Sequence, residues 1–232
     1  MLTGLMGTAP GWPPRRLALA SLILLVVTLF VQVGGGPALA APLKLLAFGD
    51  SLVHGYGLPA GATFPEQLEA ALRARGLDVE VINGGNSGDT TAAGLARLDW
   101  ALAERPDAVL VELGANDSLR GLDPAETAAN LEAILIRLKR EGLPVLLAGM
   151  LAPRNLGADY AAEFDAIYPR LAEQHGVAFY PFFLEAVAME SALNQDDGIH
   201  PNAAGVQVIV AAMLPQVLRL IETARAGAAA DG

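Results

Sequence analysis

The chain has 232 residues, 53% of them hydrophobic and 17% charged, with no cysteine and a formal net charge of −10. This length suits a single domain with a small appendage, and the apolar share supports a sizeable core and argues against disorder. The missing cysteines exclude disulfides, thiolate metal sites and a cysteine nucleophile, while the acidic balance disfavours nucleic acid and anionic membrane surfaces as partners.

The first forty residues stand apart. Arg15 and Arg16 precede an uncharged apolar run over 17–33, and Gly34, Gly35 and Gly36 lead to Ala38 and Ala40 in an A-x-A arrangement. This layout predicts a secretory signal peptide over 1–40, cleaved after Ala40. The alternative is an uncleaved anchor, since the run is near the short limit for a spanning helix. Either reading puts the domain from residue 41 onward outside the cytoplasm, periplasmic or secreted. Cleavage leaves it without stable membrane association. Without Arg15 and Arg16 the remainder has 13 basic against 25 acidic residues, a net charge of −12.

The mature domain, 41–226, alternates short apolar runs with amphipathic segments. Residues 43–48 predict a strand. Residues 64–75 predict a helix, with Thr63 and Glu66 as a capping box and Pro65 at its first position. A strand follows at 78–82 and a helix at 90–104, with Asp89 as a cap. The third strand is 108–113. Asp123 then starts a helix over 124–140, with Glu126 three residues later. Strands at 144–149 and 177–180 flank a helix over 160–175. A final helix covers 201–226, and 227–232 reads as a flexible tail.

The strands are continuous apolar runs, as expected for a parallel sheet covered on both faces. Right-handed crossovers then give a three-layer α/β/α sandwich with a five-stranded, flavodoxin-like parallel sheet. Ligands bind at the carboxyl ends of such strands.

Four loops at that edge carry polar residues. Gly49-Asp50-Ser51-Leu52 follows the first strand and holds a serine at the sheet edge; alone it also fits a turn or helix cap. Asn83 to Thr90 is glycine-rich and leads into a helix, so its N–H groups can approach a developing anion. Gly114-Ala115-Asn116-Asp117 offers a side-chain amide as an oxyanion donor, though an Asx-turn is the blander reading. Asp197-Gly198-Ile199-His200 lets an acid fold back onto one ring nitrogen and leaves the other free to take a proton from serine. Of the three histidines only His200 has such support: His54 lacks a nearby acid and His175 ends a helix. The chain has no G-x-S-x-G elbow around Ser51, and no H-E-x-x-H, P-loop or G-x-G-x-x-G element.

The segments FGDSL (48–52), SGD (87–89), GAND (114–117) and DDGIHP (196–201) resemble the four blocks of the SGNH (GDSL) hydrolases. The resemblance covers most of 43–220. It is closest to the bacterial periplasmic branch of acyl-CoA thioesterases, lysophospholipases and arylesterases, through GDT-x-x-x-GLARL (88–98), VELGAND (111–117), AIYPRLA (166–172) and QDDGIHPN (195–202). It implies Ser51 as nucleophile, His200 as base and Asp197, rather than Asp196, as the acid that orients it. Ser51, Gly88 and Asn116 would form the oxyanion hole. Leu52, Leu119 and Leu156 would contact the substrate, a small acyl ester or thioester, with no metal or cofactor. The loop after the fourth strand departs from the branch, with Leu156 where an aromatic is usual, so acyl-length preference does not carry over. Two rival functions remain open at this level: O-deacetylation of a carbohydrate on the same triad, and a non-catalytic binding protein of the same fold.

Overall fold

Apolar runs that can be covered on both faces become parallel strands here. β1 (Leu43–Gly49), β2 (Val79–Gly85), β3 (Ala108–Glu112), β4 (Val145–Ala148) and β5 (Ala178–Tyr180) form one all-parallel sheet of order β2-β1-β3-β4-β5. That is the flavodoxin-like order. All residues of β3 and β4 are buried, as the unbroken sequences AVLVE and VLLA require. The computed structural model describes residues 41–230, together with Met1, Thr3, Gly4 and Gly7. The predicted leader over 1–40 otherwise lies outside the described residues.

The helices are α1 (Ser51–His54), α2 (Phe64–Arg73), α3 (Thr91–Leu102), α4 (Ala115–Leu119), α5 (Pro124–Arg140), α6 (Ala158–Asp165), α7 (Ile167–His175) and α8 (Ala203–Ala230). α2 packs on α8 and β2; α3 packs on α5, and α5 on α7. Two helical layers therefore enclose the sheet, as the three-layer reading requires. α8 is long and apolar enough by composition to cross a membrane. Its packing accounts for that composition, because Val206, Ile209, Met213, Val217 and Leu220 are buried in the core.

Several boundaries differ from the sequence reading. Thr63 and Glu66 form the reciprocal capping box as expected. α3, however, is capped by Thr90, whose Oγ1 accepts from Ala93 N–H at 3.3 Å. Asp89, the expected cap, is held instead by Arg97 at 2.5 Å. The segment expected as one helix over 160–175 is two, divided at Ala166. α8 starts after Pro201, because Asn202 Oδ1 caps it by accepting from Ala204 and Gly205 N–H, both at 3.0 Å. It then runs through Ala230, so the first four residues of the expected tail are helical, consistent with the high helix propensity of alanine.

Candidate active site

The loops that leave the carboxyl ends of β1, β2 and β3 meet the segment before α8. Asp50 follows β1 directly and caps α1: its Oδ1 accepts from Leu52 N–H at 3.0 Å. This fixes Ser51 at the first turn of a short helix, half-buried.

His200 reaches Ser51 from the far end of the chain. Its Nε2 lies 2.9 Å from Ser51 Oγ, and its Nδ1 lies 2.7 Å from Asp197 Oδ2. An ionised carboxylate only accepts, so the Nδ1 proton faces Asp197 and Nε2 is left to accept from the serine hydroxyl. Asp197 Oδ1 accepts backbone N–H groups of His200 and Ile199, both at 3.0 Å. These bonds, that from His200 N–H first, bring the Asp197 carboxyl down to about 2. The tight turn needs φ of +73° at Gly198, a conformation that glycine takes without strain. Asp196 is exposed.

Gln195 ties this loop to the segment that follows the Ser51 helix. Its Nε2 donates to Tyr56 O at 2.8 Å and to Pro201 O at 3.0 Å, and its backbone N–H donates to His200 O at 2.8 Å. The Tyr56 ring lies on the His200 imidazole, with 4.7 Å between centroids.

The expected oxyanion donors differ in state. Neither the Ser51 nor the Gly88 N–H donates to another described residue. The Asn116 amide is already engaged: its Nδ2 donates to Asp50 Oδ2 and to Asp89 O, both at 3.0 Å. The free donor suggested by the sequence is thus bonded in the resting protein. Arg120 donates to Gly88 O at 2.8 Å and steadies that loop.

Of the three leucines expected to meet substrate, Leu52 is only 7% exposed, while Leu119 is 52% and Leu156 36% exposed. Leu52 lines a small space beside Ser51 and His200, with Tyr56, Leu58 and Val206. Leu119 and Leu156 lie at the surface, after β3 and β4. The other histidines are elsewhere: His54 Nδ1 is 3.3 Å from Gly85 O, and His175 Nε2 is 3.3 Å from Glu132. Among the described residues, no group of three or more His, Asp or Glu side chains could hold a metal ion.

Sequence reasoning missed Asp50, Glu112, Arg97 and Gln195. Arg97 bonds Asp89 and also donates to Gly49 O at 2.8 Å, bracing the end of β1. Glu112 ends β3 wholly buried, and its Oε2 accepts from Asp50 N–H at 3.3 Å. Burial pushes the Glu112 carboxyl well above its ordinary value, and the nearby Asp50 charge adds to this. Burial also raises Asp50, to about 6, against opposing hydrogen bonds from Leu52 N–H and Asn116.

Serine, histidine and acid in sequence at the carboxyl edge of a flavodoxin-ordered sheet define a three-layer α/β protein organised like a serine hydrolase. The chain belongs to the GDSL-like lipase/acylhydrolase family, whose model matches residues 47–208. It is 46% identical over 160 residues to an arylesterase of Vibrio mimicus, covering 68% of this chain and 80% of that protein. It is 41% identical over 183 residues to the thioesterase 1/protease 1/lysophospholipase L1 of Escherichia coli K12, covering 78% and 86% respectively. Among solved structures, the SGNH-hydrolase family esterase AlinE4 is 50% identical with a TM-score of 0.67, covering 78% of this chain and 98% of that one.

Proposed function

We propose that this protein hydrolyses carboxylic ester or thioester bonds by acyl transfer through Ser51. The carrying observation is the unbroken relay from Ser51 Oγ through His200 to Asp197, with contacts of 2.9 and 2.7 Å. His200 Nε2 takes the hydroxyl proton as Ser51 Oγ attacks the substrate carbonyl. The imidazolium is stabilised by Asp197, which holds its tautomer. The tetrahedral oxyanion is met by the N–H groups of Ser51 and Gly88 and by the Asn116 amide, which gives up the Asp89 carbonyl to do so. The proton on His200 passes to the departing alcohol or thiol. Water then enters by the same base and cleaves the acyl-enzyme.

The arylesterase, thioesterase and lysophospholipase activities named for the relatives support a small acyl ester or thioester as substrate. The space beside Ser51 is about 10 Å³, close to what one water needs. A long acyl chain therefore requires the surface around Leu119 and Leu156. Export as a periplasmic or secreted protein belongs to the same reading and rests on Arg15, Arg16, the apolar run and Ala38-x-Ala40.

A fluorophosphonate probe and a panel of p-nitrophenyl esters test the proposal. Labelling and turnover should both be present in the native protein and absent in Ser51→Ala, with unfolding behaviour unchanged because one oxygen is lost. Turnover by Ser51→Ala at the native rate would overturn it.

A further inference from the structure

Directly beneath the nucleophile are two buried carboxyl groups with no cation between them. Asp50 and Glu112 are both 0% exposed. Neither is in any ion pair among the described residues. The Arg97 guanidinium, which reaches the Gly49 carbonyl next to Asp50, is committed to that carbonyl and to Asp89. Two negative charges in that position would repel one another in a low-dielectric interior, so one of the pair must keep its proton.

The hydrogen bonds say which. Asp50 behaves as an acceptor at both oxygens: Oδ1 from Leu52 N–H and Oδ2 from the Asn116 amide, each at 3.0 Å. Glu112 has one oxygen, Oε2, taking the Asp50 N–H, and another, Oε1, buried without any partner. An ionised Glu112 would leave a charged oxygen unsolvated there, which costs several kcal/mol. A neutral Glu112 has an O–H to give, and Asp50 is the acid beside it, its backbone N–H lying 3.3 Å from Glu112 Oε2. The approach is close because Gly49 has no side chain: a Cβ there would sit 2.6 Å from Glu112 Oε2.

We propose that Glu112 is a positioning residue, a neutral carboxylic acid that keeps its proton and donates an O–H hydrogen bond to Asp50, and so lets Asp50 hold both the Ser51 helix turn and the Asn116 amide. Glu112 never touches substrate. It acts through Asp50, which fixes the nucleophile and one oxyanion donor with one carboxylate. The inference rests on the acyl-transfer reading of Ser51 and Asn116. Burial and the Asp50 charge from the β1–α1 turn act on Glu112 itself, His200 acts on Asp50, and the buried Tyr168 hydroxyl from α7 feels both acids and Asp117 from α4. Tyr168 is fully committed by its hydroxyl, which donates to Leu113 O at 2.9 Å.

Glu112→Gln keeps the shape and a donor for Asp50 but has no proton to lose. Glu112→Leu keeps the volume and has no donor. Infrared spectra at about pH 8, where ordinary carboxyls are ionised, should show the carbonyl stretch of a buried un-ionised acid in the native protein. Ser51→Ala should retain this band and Glu112→Gln should lack it. In turnover, Glu112→Gln should stay within about threefold of native kcat, and Glu112→Leu should lose about tenfold or more with KM nearly unchanged. No acid band at that pH, or equal kcat losses in the two variants, would overturn the proposal. If Glu112→Leu does not fold, the band and the Glu112→Gln rate still decide. Failure of the acyl-transfer reading is separate: it would appear as native activity in Ser51→Ala while the infrared band stays.

Discussion

Asn116, the proposed oxyanion donor, shows how such a donor is stored at the level of one side chain. An amide nitrogen has two protons, and here both are in use, on Asp50 Oδ2 and on the Asp89 carbonyl at 3.0 Å each. The Asp50 bond holds the side chain in place. The Asp89 bond is the one that can be exchanged, because a peptide carbonyl is a weaker acceptor than an oxyanion. The exchange is favourable only as charge develops on the substrate oxygen. Its contribution to the transition state is therefore a difference between two bonds, smaller than that of a donor with no prior partner. Asn116→Ala should lower kcat by about 10², the lower end of the range for loss of an oxyanion donor, with little change in KM. Steady-state kinetics on a p-nitrophenyl ester read both. A change confined to KM would make Asn116 a ground-state contact. Asn116 was legible as an oxyanion-donor candidate after a strand, but its two partners were not. Asp89 lies in another loop and Asp50 in a third, and only the fold brings them together.

At the level of elements, legibility followed the range of the interactions. The Asp197–His200 pair was readable because its members are three positions apart and close over one glycine. Continuous apolar runs marked β3 and β4, buried on both faces, while the edge strand β2 alternates buried Val79 and Val81 with exposed Glu80 and Asn83. α1 and α4 were not foreseen, since four or five residues are too few to show a helical period. The Asp50–Glu112 pair could not be foreseen either: the two residues are separated by 62 positions. They meet because β1 and β3 pair in a register that sets Gly49 opposite Glu112. Gln195 acts at this same scale, since its side chain joins the segment after α1 to the segment before α8. Without it, Tyr56 and Pro201 lose their shared donor, and the distance between Ser51 and His200 is no longer fixed from both sides. Gln195→Ala should lower kcat by about tenfold, with a stability loss of ~1–2 kcal/mol from the broken hydrogen bonds. Kinetics with a thermal melt measure the two effects. Native kcat in a destabilised variant would reduce Gln195 to a structural tie.

For the molecule as a whole, the buried acid pair is a stability term that depends on pH. Asp50 is raised by burial to about 6 in the folded protein, and burial also raises Glu112 well above its ordinary value. In the unfolded chain both return to the ordinary carboxylate range near 4. The folded state thus binds more protons than the unfolded one across that interval. Stability from this pair is fully present below about pH 4 and is lost as pH rises through about 6 and beyond. Asp197 works in the opposite sense. Its carboxyl is held down to about 2, so its contribution is present above about pH 4 and lost only as pH falls toward 2. Glu112→Gln leaves Asp197 untouched, so that contribution cancels when variant and native protein are compared. The variant removes one buried ionisable group and keeps a donor beside Asp50. Between about pH 5 and about pH 8 the native protein should therefore lose more stability than Glu112→Gln does, and the difference in urea midpoints should move steadily in favour of the variant. Parallel pH dependence in the two proteins would mean that Glu112 ionises alike folded and unfolded, and the buried proton beneath Ser51 would have no basis.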